Sequence, residues 1–155
     1  MKLSTLCFCL RDDQVLLAMK KRGFGEGKWN GYGGKVAEKE TPRMAAAREL
    51  KEESGLSVLE KAFEQVGLVR FYFDGSQLFE CHVFLVRDWQ GELRESDEMK
   101  PRWFLVSQLP FEEMWVADGK WVPLVLAGKK IEAEVNFNTD GSEVKNFSYQ
   151  ERQFA

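Results

Sequence analysis

Three glutamates, Glu49, Glu52 and Glu53, are the residues whose types and spacing point most clearly to chemistry. On a helix they stand at i, i+3 and i+4 and share one face, where each like-charged pair costs roughly 0.2–0.5 kcal/mol. A cation would remove this repulsion, and clustered carboxylate oxygens suit Mg²⁺ or Mn²⁺, which also bind substrate phosphates. The alternative interpretation is a solvated acidic helix face without a ligand.

The segment around these glutamates carries the signals of a helix from residue 42 to residue 54. Thr41 is a good N-cap, Pro42 suits the first helical position, and Gly55 fits the position after the last turn. Arg48 is adjacent to the glutamates and can orient a carboxylate through a bidentate pair. The sequence therefore predicts a helix that presents carboxylates on one face and packs small and aliphatic residues on another.

The elements that must position this helix read as a series of strands and a second, later helix. Strands are predicted at residues 3–10, 15–19, 64–73, 78–86, 99–106, 131–137 and 144–149. Residues 24–29 read as a glycine-bearing loop, and residues 119–127 as a helix with Pro123 in or near its first turn. This order indicates an α/β (α+β) fold in which a mixed central sheet carries helices on both faces.

Length, charge and cysteine content restrict the class of protein. The 155 residues predict one domain, residues 1–155, with room for a core. A net charge of −3 argues against a large basic surface for a nucleic-acid polymer, although a small phosphate ligand remains compatible. The three cysteines show no CxxC pair or zinc-like spacing, which indicates reduced thiols in a cytoplasmic, reducing compartment. No apolar run reaches membrane-spanning length, so we expect no membrane partner.

Nine positions from residue 34 to residue 56 follow the pattern G-x5-E-x7-R-E-U-x-E-E-x-G-U, where U is aliphatic. The chain fills it with Gly34, Glu40, Arg48, Glu49, Leu50, Glu52, Glu53, Gly55 and Leu56. This segment is identified as a Nudix box, and the chain resembles the Nudix hydrolases. Those enzymes cleave a nucleoside diphosphate linked to another group and use a divalent metal. The resemblance implies a Nudix α/β/α sandwich with a mixed central β-sheet.

Flanking motifs narrow the resemblance within the family. They are MKKRGFG at 19–25, KWNGYGGKV at 28–36, CHVF at 81–84, ESDEM at 95–99 and the pair Trp115 and Trp121. Together they resemble the Nudix enzymes that hydrolyse oxidised purine nucleoside triphosphates, over nearly the whole chain. The resemblance implies attack of a metal-activated water on a phosphate, with a nucleoside monophosphate and pyrophosphate as products. Such an activity removes 8-oxo-dGTP and related nucleotides from the nucleotide pool.

The resemblance also implies the residues of a metal and catalytic site, with Mg²⁺ as the expected ion and Mn²⁺ as the alternative. The ligands would be the Gly33 carbonyl and the carboxylates of Glu49, Glu52, Glu53 and Glu98. The catalytic group would be Arg48, Glu49, Glu52 and Glu53. Glu52 or Glu53 is favoured over Glu98 as the carboxylate that takes the proton from water, and the sequence does not decide between the first two. Without the resemblance, Glu98 reads as a surface carboxylate in an acidic loop.

Phosphate contacts are predicted from the basic residues near the glycine-rich segment. The resemblance points to Lys20, and Lys35 beside Gly34 is a second candidate. Lys21 and Arg22 are interpreted as solvated charges at the end of a strand. Gly34 is also predicted to bind the substrate.

The base site implied by the resemblance consists of Thr5, Phe24, Asn30, Phe71, Phe73, Phe79, Trp115 and Asp118. Trp115 and Phe24 can stack on opposite faces of a purine, at ~1–3 kcal/mol per base, although packing in the core or at its rim is the plainer alternative. Asp118 can accept from purine N–H groups, or donate if burial keeps it protonated. Its alternative is an N-cap for the second helix. His82 is interpreted as a strand histidine with hydrogen-bond partners.

The chain departs from the family pattern next to Asp118. Where the family has two adjacent aspartates, this chain has Ala117 followed by Asp118, and Phe79 stands where the family has methionine. A site built around paired polar contacts loses discrimination when one partner is removed. The sequence therefore leaves open how the pocket treats oxidised guanine and oxidised adenine, while the intact box predicts hydrolysis.

Two other functions remain open from the sequence. One is a Nudix hydrolase acting on another substrate, such as O6-methyl-dGTP, a 5′-triphosphorylated RNA end or a nucleotide sugar. The other is a non-catalytic nucleotide-binding domain, although such domains usually lose glutamates of the box and this chain retains all of them. We expect a monomer, because no apolar stripe is left over after the core and pocket are assigned.

Overall fold

A mixed β-sheet forms the centre of the computed structural model, which describes residues 2–155. The strands are β1 Lys2–Arg11, β2 Gln14–Lys20, β3 Trp29–Asn30, β4 Tyr32–Lys35, β5 Glu64–Phe73, β6 Ser76–Val86, β7 Met99–Leu105, β8 Ile131–Phe137 and β9 Val144–Glu151. The helices are α1 Pro42–Ser54 and α2 Asp118–Leu126, with single 3-10 turns at Glu60–Ala62 and Phe111–Glu113. The strands and both helices predicted from sequence are therefore confirmed.

The sheet has the order β3-β2-β1-β6-β5-β8-β9, with β4 also paired to β1 and β7 to β2. The β1–β6 and β5–β8 pairs are parallel, and the other pairs are antiparallel. The sheet is thus mixed, as predicted. The last hairpin, β8 and β9, extends the same sheet through its pairing with β5.

Alternation along β1 explains why both faces of the sheet are covered. Leu6 and Phe8 belong to the apolar cluster that includes α2, whereas Cys7 and Cys9 belong to the cluster that includes α1. Successive strand residues point to opposite faces, so one strand of apolar residues supplies two cores. The result is an α/β/α sandwich with a helix on each face of the sheet.

Strands β3 and β4 were not predicted, because their segment is rich in glycine. Gly33 lies opposite Leu6 in the β1–β4 ladder, and a Cβ at Gly33 would stand 1.9 Å from the carbonyl oxygen of Thr5. Only glycine allows the two backbones to come this close. The glycine residues here therefore mark a close approach between strands as well as a turn.

The prediction for Pro123 was wrong, because α2 begins at Asp118 and Pro123 lies inside it, beyond the first turn. A proline at this point removes one hydrogen bond of the short helix. Trp121, Val122 and Val125 are buried on either side of Pro123 and anchor α2 to the sheet. Tertiary packing therefore outweighs the poor helix propensity of proline.

Two smaller features, at the cysteines and at His82, match the sequence analysis. Cys7, Cys9 and Cys81 are buried free thiols. His82 lies in β6 with Nδ1 2.9 Å from the amide nitrogen of Gln65, and burial lowers the pKa of its imidazole, as fits a strand histidine. Among residues 2–155, no helix is long and apolar enough to cross a membrane.

Candidate active site

Helix α1 begins and ends where its local signals predict. The Thr41 hydroxyl accepts a hydrogen bond from the Met44 N–H at 3.1 Å, and Gly55 adopts a left-handed φ of 83° after the last turn. Ala46 and Leu50 are buried against the sheet. This packing turns the side of α1 that carries the box glutamates toward the glycine-rich strand β4.

Glu53 is the glutamate most enclosed by its neighbours. The Gly33 N–H donates to its Oε1 at 3.2 Å. Burial, together with the charges of Glu49 and Glu98, raises the pKa of Glu53 to about 8, although the Gly33 hydrogen bond and the ammonium of Lys20 oppose the shift. The structure thus places Lys20 and Glu98 within electrostatic range of Glu53, together with Glu49.

Glu49 lies against the glycine that opens the box. A Cβ at Gly34 would be 2.7 Å from Glu49 Oε1, so a larger residue would displace the carboxylate. Burial raises the pKa of Glu49, although the guanidinium of Arg48 opposes that shift. The role of Gly34 seen here is to leave room for Glu49.

Arg48 connects Glu40, which precedes α1, to two of the predicted ligand glutamates. Its Nε and Nη2 donate to the two carboxylate oxygens of Glu40 at 2.7 and 2.9 Å. Its Nη1 donates to Glu49 Oε1 at 2.9 Å and lies 3.5 Å from Glu52 Oε2. Its Nη2 also donates to the backbone carbonyl of Lys35 at 3.2 Å. The bidentate pair predicted for Arg48 is therefore formed with Glu40, a box residue that the sequence analysis had not named as its partner.

A cleft of about 530 Å³ opens beside these carboxylates. Its size is in the range of small-molecule sites. Acidic side chains dominate its lining, which consists of Arg22, Glu49, Glu52, Glu53, Arg94, Glu95, Ser96, Asp97 and Glu98. The four predicted carboxylate ligands thus face one space, although Glu98 comes from the loop before β7.

Lys21 and Arg22 are exposed charges at the end of β2, as predicted, and each also contacts the acidic loop before β7. The Lys21 N–H donates to the Glu98 carbonyl at 2.8 Å, and its ammonium forms an ion pair with Glu95. Arg22 lies in the cleft lining, with Nη2 3.8 Å from Glu98 Oε1. The partners of both residues lie far along the chain, in the acidic loop, so local sequence carried no signal for them.

The donor set of the cleft fits a hard divalent cation. All four carboxylates supply oxygen, and two of them have raised pKa values because they are desolvated beside like charges. A bound cation would offset that penalty. Within residues 2–155, no three Asp, Glu, His or Cys side chains already converge into a metal-binding cluster.

Trp115 and Phe24 lie at the predicted base site, but in contact with each other. Their ring centroids are 5.0 Å apart with an interplanar angle of 32°, and Phe24 is 87% exposed. A base between two rings needs about 7 Å, twice a van der Waals contact. Phe24 therefore occupies the face of Trp115 in this arrangement. Lys28 Nζ lies 5.3 Å from the Trp115 ring centroid.

Asp118 is a buried carboxyl at the first residue of α2. It is 4% exposed, and its Oδ2 accepts from the Trp115 N–H at 3.1 Å. Burial raises the pKa of Asp118 to about 7, while that hydrogen bond and Lys28 oppose the shift. The N-cap position of α2 is held by Ala117, which makes no side-chain cap bond, so the N-cap interpretation of Asp118 was wrong.

The remaining predicted residues are distributed around the sheet. Asn30 Oδ1 accepts from the Gly31 N–H at 2.8 Å, and the buried Thr5 hydroxyl has no hydrogen-bond partner among residues 2–155. The Lys35 side chain is exposed. Three phenylalanines, Phe71, Phe73 and Phe79, form a row with Phe137, in which Phe71 and Phe79 stack at 4.8 Å.

Sequence reasoning missed Arg94, Glu95, Ser96 and Asp97, which line the cleft. The acidic run just before β7 was a usable signal for three of them, because it includes the predicted ligand Glu98. Nothing in the local sequence distinguishes Arg94 from other surface arginines.

The profile of the NUDIX domain matches residues 1–125 of this chain. The chain belongs to the Nudix family. The matched region contains both the box helix and the acidic loop that line the cleft. Nudix hydrolases generally need a divalent metal, in agreement with the donor set of the cleft.

Two relatives cover most of this Nudix chain. A protein of Danio rerio is 48% identical over 130 residues, which are 83% of this chain and 82% of the relative. A protein of Mus musculus is 45% identical over 151 residues, 97% of this chain and 95% of the relative. Both are named oxidized purine nucleoside triphosphate hydrolase.

Solved structures share the fold. The mutator MutT protein of Bacillus halodurans superposes with a TM-score of 0.80 at 24% identity, covering 96% of this chain and 97% of that one. A MutT NUDIX hydrolase of Burkholderia pseudomallei gives a TM-score of 0.62 at 29% identity, covering 70% and 86%. The mixed sheet with two helices is therefore the Nudix architecture.

Proposed function

We propose that this Nudix protein hydrolyses oxidised purine nucleoside triphosphates of the 8-oxo-dGTP type to the nucleoside monophosphate and pyrophosphate. This activity would sanitise the nucleotide pool. Two observations together carry the proposal. An intact Nudix box supplies a carboxylate-lined cleft, and Trp115 and Asp118 form an aromatic and carboxyl site suited to a purine base. The two relatives of 48% and 45% identity bear names of the same activity.

Mg²⁺ is the proposed ion, with Mn²⁺ as a substitute. The Gly33 carbonyl and the carboxylates of Glu49, Glu52, Glu53 and Glu98 would hold it. When bound, the ion would supply positive charge that activates water and stabilises the charge developing on the phosphates.

The side chains around the cleft would prepare this reaction. Arg48 orients Glu49 through the 2.9 Å hydrogen bond and is itself held by Glu40. Glu53, which is the most enclosed, or Glu52, which is more exposed, would take the proton of the attacking water. Lys20, near Glu53, would bind the triphosphate, with exposed Lys35 as a second contact.

Recognition of the base would centre on Trp115. Its ring would stack on the purine once Phe24 moves away from it, and Asp118 would bind a polar edge of the base. At a pKa of about 7, the Asp118 carboxyl is partly protonated at neutral pH and so both donates and accepts. Asn30, whose Oδ1 accepts from the Gly31 N–H, would donate its amide N–H groups to a second edge. Thr5, Phe71, Phe73 and Phe79 would complete the pocket.

The test is product formation by Glu53→Gln and by the exposed control Glu60→Gln. With 8-oxo-dGTP and Mg²⁺, the unchanged protein and the control should release pyrophosphate and 8-oxo-dGMP. Glu53→Gln, or excess EDTA, should suppress release by at least about a hundredfold. Unchanged turnover in Glu53→Gln would contradict the proposed site.

A second candidate is a Nudix hydrolase with a different base or leaving group, and Ala117 is the observation that favours it. Ala117 is buried and lies where the family has a carboxylate beside Asp118. O6-methyl-dGTP, a 5′-triphosphorylated RNA end and a nucleotide sugar release different products, so product identification separates these substrates. The non-catalytic alternative would be supported only by nucleotide binding without turnover of any of them.

The physiological setting belongs to the same proposal. Residues 1–155 would act as one domain and as a monomer on small purine nucleotides, without a nucleic-acid polymer or membrane as partner. The three buried free thiols suit a reducing, cytoplasmic compartment.

A further inference from the structure

The loop before β7 is attached to the C-terminal end of α1 by Arg94. The Arg94 N–H donates to the Ser54 carbonyl at 2.9 Å, and its Nη2 donates to the Glu52 carbonyl at 2.9 Å. The last carbonyls of a helix have no partner within the helix. Arg94 therefore satisfies two of these acceptors and places its positive charge at the negative end of the helix dipole.

The attachment is close. A Cβ at Gly55 would lie 3.2 Å from both Cγ and Nε of Arg94, so the arginine stem rests directly on the residue that ends α1. Earlier in the same loop, Gln90 and Ser57 exchange two backbone hydrogen bonds of 2.8 and 2.9 Å. Residues 90–94 of the loop are therefore attached to residues 54–57, where the chain leaves α1.

The far end of the acidic segment is also fixed. The Glu98 carbonyl accepts from the Lys21 N–H at 2.8 Å, and the Ser96 hydroxyl accepts from the N–H groups of Glu98 and Met99. The four residues from Glu95 to Glu98 thus bridge the cleft between α1 and the end of β2. Glu98 stands within this bridge and contributes to the field at Glu53.

We propose that Arg94 is a positioning residue, which holds the acidic loop on α1 and thereby sets the place of Glu98 relative to Glu53 for metal binding. The Arg94 guanidinium acts through the backbone carbonyl of Glu52, in the helix turn that carries the box glutamates, while the bond to Ser54 comes from the backbone N–H of residue 94. The inference rests on the proposed metal site. It adds a residue outside the box, and the contact with the Glu52 carbonyl is made by the side chain of this chain's own Arg94.

The experiment is a double-mutant cycle for Mn²⁺ affinity, measured on the free protein by electron paramagnetic resonance. Arg94→Ala should weaken Mn²⁺ binding by roughly tenfold, as loss of a supporting contact does at other metal sites. Arg94→Ala combined with Glu98→Gln should bind no more weakly than Glu98→Gln alone. Arg94→Lys should retain part of the affinity. Arg87→Ala, which removes an exposed ion pair with Glu64, is the matched control and should bind as the unchanged protein does.

A second readout needs no metal. Amide hydrogen exchange at residues 95–98 should accelerate in Arg94→Ala and stay unchanged in Arg87→Ala. The proposal is overturned if Arg94→Ala retains full Mn²⁺ affinity, or if it weakens binding equally with and without the Glu98 carboxylate. If Glu53→Gln also leaves Mn²⁺ affinity unchanged, the proposed metal site itself fails and the role of Arg94 falls with it.

Discussion

Arg48 and Glu40 form a two-bond ion pair beside α1, with Nε 2.7 Å from Oε2 and Nη2 2.9 Å from Oε1. The same guanidinium reaches Glu49 Oε1 at 2.9 Å. Glu40 therefore fixes the orientation of Arg48, and Arg48 in turn fixes that of a proposed metal ligand. Glu40, the box residue before the helix, thus helps to hold a proposed metal ligand in place through Arg48.

Glu40→Gln should remove an acid-sensitive part of the stability. The hydrogen bonds from Arg48 lower the pKa of Glu40 to about 2 from its ordinary 4.5. A lowered folded-state pKa stabilises the protein above pH 4.5, and this contribution is lost as pH falls toward 2. Urea unfolding should show Glu40→Gln as less stable at pH 7 and equal to the unchanged protein near pH 2. Glu38→Gln, at an exposed position, serves as the control. If Glu40→Gln is still less stable than the unchanged protein at pH 2, the lost stability does not come from the ionised Glu40 carboxylate.

Gly34→Ala should damage metal binding while leaving the fold intact. The added Cβ would stand 2.7 Å from Oε1 of Glu49. The Glu49 side chain can move away without unfolding the protein, but its carboxylate then leaves the position proposed for metal binding. Mn²⁺ affinity should fall by about tenfold. Gly119→Ala, whose Cβ would have its nearest contact at 3.7 Å, is the matched control. Retained Mn²⁺ affinity in a folded Gly34→Ala would show that Glu49 is not a ligand.

Asp118→Asn should change the pH dependence of stability in the opposite direction. Burial raises the Asp118 pKa to about 7 from 3.8, so its contribution is full below pH 3.8 and is lost as pH rises through 7. The asparagine keeps the acceptor for the Trp115 N–H. The variant should therefore gain stability relative to the unchanged protein between pH 5 and pH 8, by up to about 4 kcal/mol. If the stability of Asp118→Asn and that of the unchanged protein run parallel across this pH range, Asp118 titrates as an exposed carboxyl does. Asp13→Asn, at an exposed position, is the control.

Trp115→Ala and Phe24→Ala should differ in their effect on nucleotide binding. Loss of the Trp115 ring should weaken binding of 8-oxo-dGMP by ~1–3 kcal/mol, the usual worth of one stacked base. Phe24→Ala should have a smaller effect, because the Phe24 ring must leave Trp115 before a base stacks there. Calorimetric titration measures both. An equal loss in the two variants would indicate that Phe24 contacts the base from another side.

The box helix and most strands were predictable because their signals are local. Thr41, Pro42 and Gly55 mark the ends of α1 by their own backbone preferences. The site was only partly predictable. Gly33 looks like a loop residue, and its place in a strand depends on the Thr5 carbonyl 28 positions earlier in the chain. Arg94 binds the carbonyl of Glu52, 42 positions away, and such a contact exists only after folding.

The measurement that tests the account most directly is kcat/KM for pyrophosphate release from 8-oxo-dGTP, dGTP, 2-oxo-dATP and O6-methyl-dGTP, side by side with Mg²⁺. We expect a preference for 8-oxo-dGTP over dGTP of at least about tenfold, with Asp118 serving without a second aspartate. Equal rates for 8-oxo-dGTP and dGTP, or negligible rates for all four, would contradict it.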